Sequence, residues 1–343
     1  MTDTRPSSET NSPPRNHHYI PQSILRKFSR DSEKIWVARR GGAIFQTTSR
    51  NVGAERDLYT FTAEGGDASF AFEQSIDSKF TDPALLVIDK LAKREPASPD
   101  DKGTLAQCLA LLSVRHPEFK RLSDGMVLGT VTELRHELLN NPEYLREQAG
   151  EMFSGDASKQ NIEYARRVLE SFQIKSTNTA FLKSIADRHA APMQRMMLGS
   201  WTILHAPPDQ AFVRSERTIM TMADSDARDE AQFWKLPGAR LYIPLTMSMA
   251  LEVRAGDPET YSHTQFSGYW VREYNKVVAS MAHEFILGPD ERAVRCLAAR
   301  FGDMPTSGVN EAGERREFVA PDESAAIFVQ QFMANRRANK GSL

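Results

Sequence analysis

Short apolar runs separated by turn residues characterise the first part of the chain. Residues 34–38 and 43–45 are strand-like and flank the pair Gly41-Gly42. Because glycine adopts the positive φ angles that tight hairpin turns need, this pattern predicts a β-hairpin. Residues 57–61 predict one more short strand, which ends before Gly65-Gly66.

From about residue 70 the apolar spacing becomes helical. Phe72, Ile76 and Phe80 recur every four residues, which places them on one face of a helix. Apolar spacing and the bounding Pro, Asp and Asn residues predict further helices at 100–112, 127–139, 161–174 and 179–198. The segment 70–198 is therefore predicted to form a helical bundle.

Beyond Gly199 the chain returns to strand-like pieces separated by Pro, Gly and Asp, which continue to residue 255. A helix is predicted at 261–283, a last strand at 284–287 and a final helix at 289–300. The order indicates an α+β fold with short N-terminal strands, a helical middle bundle and a C-terminal mixed sheet with helices.

The domain organisation follows from these changes of composition. Residues 1–16 are rich in Ser, Thr, Pro and Asn and predict a flexible leader. Residues 17–300 predict one large domain, with its strand-rich part at 200–255. Residues 301–343 are predicted to be a C-terminal extension.

Composition and charge narrow the class of protein. The chain has 343 residues, of which 40% are hydrophobic and 26% charged, as in ordinary globular proteins. No apolar run reaches the roughly 18 residues of a membrane span, and no secretory leader is recognisable. Cys108 and Cys296 offer neither a disulfide framework nor a zinc site. We therefore expect a cytoplasmic bacterial protein without a membrane partner.

The overall net charge of −2 hides a basic segment near the N-terminus. Between Arg15 and Arg56 the chain has nine Lys or Arg residues and three acidic residues, a net charge of +6. Such a segment is a candidate surface for nucleic acid. A solvated face that binds nothing is the alternative.

The adjacent histidines His17 and His18 precede the turn residue Pro21. In an extended segment they point to opposite sides, so at most one faces a shared site. We expect His18 to be ordered by Pro21 and His17 to face solvent. His18 is then a candidate metal ligand or general acid–base group, with a purely structural histidine as the alternative.

A short helix predicted after Pro21 separates core positions from a charged one. Leu25 and Phe28 would face the core, whereas Arg26 would lie off that face and could bind phosphate or a carboxylate. The chain has no Gly-x-Gly-x-x-Gly, Walker loop, Gly-x-Ser-x-Gly or His-Glu-x-x-His sequence. A nucleotide cofactor and serine-hydrolase chemistry therefore lack support.

Several motifs together resemble the uncharacterised bacterial family called domain of unknown function 4238. The most specific motif is His18-x-x-Pro21-x-x-x-Leu25-Arg26-x-Phe28. Weaker matches are Glu73 with Asp82, Arg115-x-Pro117 with Lys120 and Arg121, Pro244-Leu245, Asn275, Ala282 and Phe285-Ile286. The resemblance covers about residues 17 to 290 and implies a mixed fold and a bacterial setting, but no established activity.

The chain departs from that family pattern at one place. Such proteins usually carry Thr-Ser-Asp-Asn-Pro after the helical middle, whereas residues 214–218 here read Arg-Ser-Glu-Arg-Thr. Glu216 keeps the acidic group, and the Asn-Pro turn is missing.

These motifs supply the candidate site residues. We expect His18, Glu73 and Glu216 to be catalytic, Arg26, Arg115 and Asn275 to bind substrate, and His18, Glu73 and Asp77 to hold a divalent cation. Glu73 and Asp77 are four residues apart and share a helix face, so with a histidine they could ligate a hard cation. Solvated acids, a helix cap at Arg115 and a strand contact at Asn275 are the structural alternatives.

Two function hypotheses of different classes follow. The first is a metal-assisted nuclease or phosphodiesterase in a toxin or phage-defence setting, in which Arg26 and Arg115 hold phosphate. The second is a non-catalytic module that binds a nucleic acid, a nucleotide or a partner protein.

Overall fold

The computed structural model confirms the α+β fold, with short N-terminal strands, a helical middle and a C-terminal mixed sheet with helices. It describes residues 16–31, 33–62, 68–69, 75–171, 178–222 and 239–301. All of the predicted leader except residue 16, and all of the predicted extension except residue 301, thus lie outside the described residues, and the domain limits at 17 and 300 stay predictions.

The N-terminal signature segment is fixed to the core by its apolar residues. Strand β1 (Asn16–His18) pairs antiparallel with β4 (Ala54–Arg56), and helix α1 (Gln22–Arg26) follows Pro21. Leu25 and Phe28 have no exposed surface, whereas Arg26 is exposed. The predicted division between core positions and a charged position is therefore correct.

The predicted hairpin is present and belongs to a larger sheet. Strands β2 (Lys34–Arg39) and β3 (Ile44–Thr48) are joined by a turn in which Gly41 has a φ of +62°. The order of this four-stranded sheet is β3-β2-β13-β8, where β8 is Arg214–Ser215 and β13 is Phe285–Gly288. It therefore brings residues 39, 215 and 285 together from distant parts of the sequence.

The middle of the chain is helical after the two-stranded pair β5 (Phe61–Thr62) and β6 (Ala68–Ser69). A π-helical turn covers Asp77–Thr81. The helices are α2 (Asp82–Ala92), α3 (Pro99–Val114), α4 (Pro117–Asn140), α5 (Pro142–Met152), α6 (Lys159–Ser171), α7 (Asn178–Arg188) and α8 (Ala190–Met197).

Helix α3 begins with a complete capping box. The Ser98 side chain accepts a hydrogen bond from the backbone N–H of Asp101, and the Asp101 carboxylate accepts one from the backbone N–H of Ser98. Leu105, Leu109 and Leu112 are buried in the main core. The helix ends at Arg115, so the Arg-x-Pro motif forms the junction between α3 and α4.

The C-terminal sheet has five strands in the order β12-β7-β11-β10-β9. These are β7 (Gly199–His205), β9 (Met220–Met222), β10 (Arg240–Thr246), β11 (Met249–Ala255) and β12 (Tyr261–Gln265). The β12–β7 pair is parallel and the other pairs are antiparallel. Helices α9 (Gly268–Met281) and α10 (Glu291–Leu297) complete the fold.

The chain divides into two compact units. The first comprises Met1–Lys120 and Asn178–Val309 and holds all the strands described above. The second comprises Arg121–Thr177 and Asn310–Leu343, and its described part has a small core of Leu134, Leu138 and Leu145. The candidate residues that the structure describes all lie in the first unit. Among the described helices, none is long and apolar enough to cross a membrane.

Candidate functional site

The two N-terminal histidines lie on opposite faces of β1, as the strand period requires. His17 is 1% exposed, whereas His18 is partly exposed and its Nε2 atom lies 3.3 Å from the Arg50 carbonyl oxygen. The expectation that His17 faces solvent is therefore wrong. Residues packed behind β1, rather than Pro21, determine which histidine is buried.

His17 belongs to a stack that ends at Arg115. The backbone N–H of Tyr59 donates to His17 Nδ1 at 2.9 Å, and the two rings are nearly parallel with centroids 5.7 Å apart. The Arg115 guanidinium lies 5.5 Å from the centroid of the Tyr59 ring. The stack thus places a guanidinium against an aromatic ring, a favourable cation–π geometry.

Arg115 is completely buried and only partly bonded. Its Nη2 atom donates to the carbonyl oxygen of His18. Its Nε and Nη1 atoms have no hydrogen-bond partner, and no acidic side chain pairs with Arg115 in the part of the chain that the structure describes. Burying unbonded N–H donors costs about 1–3 kcal/mol each, and more when the group is charged.

Polar side chains adjoin Arg115 at the start of α4. The ring of Tyr19 meets the ring of His116 edge to face, with centroids 5.2 Å apart. His116 Nδ1 accepts the backbone N–H of Glu118 at 3.0 Å, and the Tyr19 hydroxyl donates to Glu284 Oε2 at 3.3 Å. Tyr19 therefore connects the N-terminal signature segment to both the α3–α4 junction and Glu284, the residue before β13.

The Glu118 carboxylate also contacts two further charged or titratable side chains, those of Arg217 and His283. Arg217 Nη2 lies 2.6 Å from Glu118 Oε1 and 2.7 Å from His283 Nε2, and the last two atoms are 3.1 Å apart. The side chains of Arg217, Glu118 and His283 are 28%, 21% and 20% exposed, so solvent reaches all three. We call Tyr19, His116, Glu118, Arg217, His283 and Glu284 the rim cluster.

Glu216 binds the backbone behind this cluster. Its two oxygens accept the N–H groups of His283 at 2.5 Å and Phe285 at 3.1 Å, and the side chain is buried. Burial raises the pKa of Glu216 although both hydrogen bonds lower it, and the Glu284 charge raises it further. Burial, Glu284 and Glu216 likewise raise the pKa of Tyr19.

The predicted metal ligands are not brought together in the described ranges. Glu73 lies outside the described residues. Asp77 accepts a hydrogen bond from the Thr81 hydroxyl at 3.2 Å in the π-helical turn. Among residues with described positions, no group of three His, Cys, Asp or Glu side chains converges to hold a metal ion. The divalent cation stays a prediction.

Arg26 and Asn275, the other two residues predicted to bind substrate, form hydrogen bonds with residues outside the rim cluster. Arg26 is exposed, and its Nη2 atom lies 3.5 Å from Gln22 Oε1. Asn275 is buried in α9, where its Oδ1 accepts the N–H of Val213 at 3.0 Å and its Nδ2 donates to Ala211 at 2.8 Å. Of the predicted site residues, the structure thus gathers His18, Arg115 and Glu216 around one region.

Several members of this region were not singled out from the sequence. They are His17, Tyr19, Tyr59, His116, Glu118, Arg217, His283 and Glu284. Position offered a signal for some, since Tyr19 lies inside the first motif and His116 and Glu118 lie in or beside Arg115-x-Pro117. The contacts of Arg217 and His283 join residues 66 or more positions apart, and no local pattern indicates them.

Comparison with known proteins gives one match. A family model described as "Protein of unknown function (DUF4238)" matches residues 16–292, a range that includes the stack and the whole rim cluster. Neither the curated proteins nor the solved structures gave a match.

Proposed function

The chain belongs to the DUF4238 family, whose description assigns no activity, and from the geometry of its site we propose that it binds a phosphate-bearing ligand, in particular nucleic acid. In this proposal Arg115 is the buried anion-binding group, and the rim cluster contacts the remainder of the ligand. The chain acts as a recognition or sensor module. Its cytoplasmic location stays a prediction.

The observation that carries the proposal is the state of Arg115. Its guanidinium is fully buried, its Nε and Nη1 donors lack partners among the described residues, and no carboxylate compensates its charge there. Buried polar groups are otherwise almost always satisfied. A phosphate oxygen is a matching acceptor, because guanidinium N–H groups donate strong charge-assisted hydrogen bonds to phosphate.

A polymer is favoured over a free nucleotide because exposed arginines adjoin the rim cluster. Arg39 pairs with Phe285 across the β2–β13 ladder, and the backbone N–H of Arg40 donates to the carbonyl of Glu284 at 3.1 Å. The side chains of Arg39 and Arg40 are exposed and pair with no described acidic group. In this proposal these two arginines contact phosphates of the backbone of a longer ligand.

Acidic side chains pair with several basic residues of the predicted basic segment. These ion pairs narrow the surface that is proposed to contact the ligand. Lys27 pairs with Asp89 at 2.5 Å, Arg30 with Asp290 at 3.4 Å and Arg56 with Asp57 at 3.6 Å. The hairpin tip at Arg39 and Arg40 keeps its charge. The proposed contact surface is therefore this tip and the adjacent rim cluster, not the whole segment 15–56.

The test is ligand-induced stabilisation of the wild type and of Arg115→Met. Inorganic phosphate, nucleotides and single- and double-stranded oligonucleotides are added, and Tm is measured. A ligand at 100 times its Kd stabilises the folded state by about 2.7 kcal/mol. We expect stabilisation of the wild type only. Arg30→Ala, which removes an exposed, ion-paired arginine, is the matched control and should respond like the wild type.

Replacing Arg115 by methionine separates binding from folding. Replacing a buried, partly unbonded charge by an apolar side chain removes the free-energy cost of burying that charge. We therefore expect Arg115→Met to fold. If every oligonucleotide and phosphate compound leaves the wild-type Tm unchanged, or stabilises Arg115→Met equally, the proposal is wrong.

Metal-assisted phosphodiester cleavage is the second candidate function. The contact between His283, Glu118 and Arg217 favours it, since imidazole, carboxylate and guanidinium are the groups that proton transfer and phosphate stabilisation require. RNA and DNA cleavage with and without Mg²⁺ or Mn²⁺ tests it, with His18→Ala and His283→Gln as variants. Absence of cleavage by the wild type, or cleavage by both variants at the wild-type rate, would leave the recognition role alone.

A further inference from the structure

A second group of titratable side chains lies on the five-stranded sheet. His205 ends β7 and His263 lies in the parallel neighbour β12. His205 Nε2 and His263 Nδ1 are 2.8 Å apart, and the ring centroids are separated by 5.1 Å. Two imidazole nitrogens thus face each other on adjacent strands, at positions that the sheet fixes.

Tyr261 determines which nitrogen of His263 is available. Its hydroxyl oxygen lies 2.7 Å from His263 Nε2, and the two rings meet edge to face. If Nε2 carries the proton and donates to this oxygen, Nδ1 keeps its lone pair toward His205. Histidines that bind metals commonly donate their second N–H to an oxygen in this way.

Burial favours the neutral form of both imidazoles, which is the form in which histidine binds a metal. Burial, the Arg94 charge and His263 lower the pKa of His205 to about 4. Burial also lowers the pKa of His263, with a smaller effect of Arg94. The Arg94 side chain donates to Gln265 Oε1 at 2.7 Å, so this positive charge is held close to the pair.

We propose that His205 and His263 bind one divalent transition-metal ion that prefers imidazole ligands. When a metal binds about 2.1 Å from each nitrogen, the proton on His205 Nε2 moves through solvent to His205 Nδ1, so both imidazoles bind as neutral ligands. Cu²⁺ should bind more tightly than Ni²⁺ or Zn²⁺, following the general order of stability for nitrogen ligands. No third His, Cys, Asp or Glu joins them in the described part of the chain, so water completes the coordination.

The proposal is tested with the metal-free full-length chain titrated with CuCl₂ at pH 7 against a weak competing chelator. Binding is followed by calorimetry and by electron paramagnetic resonance at one equivalent. We expect a spectrum with two equatorial imidazole nitrogens. His263→Gln and His205→Gln should each abolish this two-nitrogen signal, and circular dichroism checks that each variant is folded.

Two further variants distinguish this site from general affinity of surface histidines. Tyr261→Phe removes the oxygen that orients His263 and should weaken Cu²⁺ binding about tenfold. Arg94→Gln removes a neighbouring positive charge and should strengthen it, most clearly at low ionic strength. A structural role alone for the imidazole pair predicts neither change.

His136→Gln is the matched control, because His136 is an exposed histidine on α4 whose Nε2 atom lies 2.9 Å from Asn140 Nδ2. It should bind Cu²⁺ like the wild type. The proposal is overturned if folded His263→Gln and His205→Gln keep the wild-type affinity and spectrum, or if His136→Gln loses binding to the same extent. In either outcome the bound copper is adventitious.

Discussion

Tyr59 holds Arg115 at two points, through its hydroxyl group and through the face of its ring. The hydroxyl donates to the Arg115 carbonyl oxygen at 2.7 Å, and the ring centroid lies 5.5 Å from the guanidinium carbon. The first contact satisfies a carbonyl at the C-terminus of α3, where intrahelical donors are lacking. The second fixes the side chain proposed to bind an anion.

Tyr59→Phe is expected to destabilise the protein by about 1–2 kcal/mol, because a buried carbonyl loses its donor while the aromatic packing remains. Urea denaturation followed by circular dichroism measures the change. Tyr269→Phe removes a hydroxyl from a residue that is 55% exposed and serves as the control. Equal stability of Tyr59→Phe and the wild type would show that the hydroxyl contributes little to holding the helix end.

Asn275→Ala is expected to cost about 2–4 kcal/mol, although Asn275 was predicted to bind substrate. The substitution leaves the N–H of Val213 and the carbonyl of Ala211 without partners in a buried region. Thermal and urea unfolding measure the loss, with exposed Asn140→Ala as the control. A stable Asn275→Ala variant with weakened ligand binding would instead support the predicted substrate role.

Much of the fold was predictable because many elements have their own local signal, but the helix predicted at 261–283 was wrong over its first turn, where Tyr261–Gln265 forms strand β12. The Gly41-Gly42 turn, the four-residue apolar spacing in the middle and the short strands after Gly199 each specify a structure independently of the rest of the chain. Helix ends were predicted less accurately than the helices themselves. The start of α3 was predicted at residue 100, whereas the N-cap is Ser98. The capping carboxylate was nevertheless among the predicted residues.

The site was only partly predictable because it depends on tertiary pairing. Alternation along β1 shows that His17 and His18 face opposite sides, but it does not show which side packs against Tyr59. Arg217 occupies the place where the family pattern has an Asn-Pro turn, and its contacts with Glu118 and His283 bring together a helix and two loops that are distant in sequence. Such convergence is a property of the fold rather than of any motif.

Glu216 should make stability decrease as pH rises. Its folded-state pKa lies above the ordinary value of 4.5, so the folded protein binds the proton more tightly than the unfolded chain. Its contribution is therefore fully present below pH 4.5 and is lost as pH rises through the higher folded-state pKa. Glu216→Gln removes this dependence, although it also loses one backbone hydrogen bond at every pH, because the amide nitrogen cannot accept from an N–H group.

Unfolding free energies of the wild type and Glu216→Gln, measured by urea denaturation from pH 4 to pH 8, test this sign. The advantage of the wild type over the variant should shrink as pH rises. Glu273→Gln, which alters a half-exposed acid paired with Lys276, is the control for the general effect of removing one carboxylate. An advantage that grows with pH would mean that the two backbone N–H groups outweigh burial.

Arg39→Ala and Arg40→Ala test whether the ligand is a polymer with a phosphate backbone. Nucleic-acid binding releases counterions, so the logarithm of the binding constant falls linearly with the logarithm of salt concentration. If Arg39 or Arg40 contacts one phosphate, its removal should reduce that slope by about 0.7–0.9. Fluorescence anisotropy with labelled oligonucleotides at several salt concentrations measures the slope.

The control for this experiment is Arg56→Ala, since Arg56 belongs to the same predicted basic segment but pairs with Asp57. Its slope should equal that of the wild type. Equal slopes for all three variants would remove the hairpin tip from the binding surface. If the wild type binds no oligonucleotide at any salt concentration while Arg115→Met abolishes its binding of inorganic phosphate, the ligand is a small phosphate compound rather than a polymer.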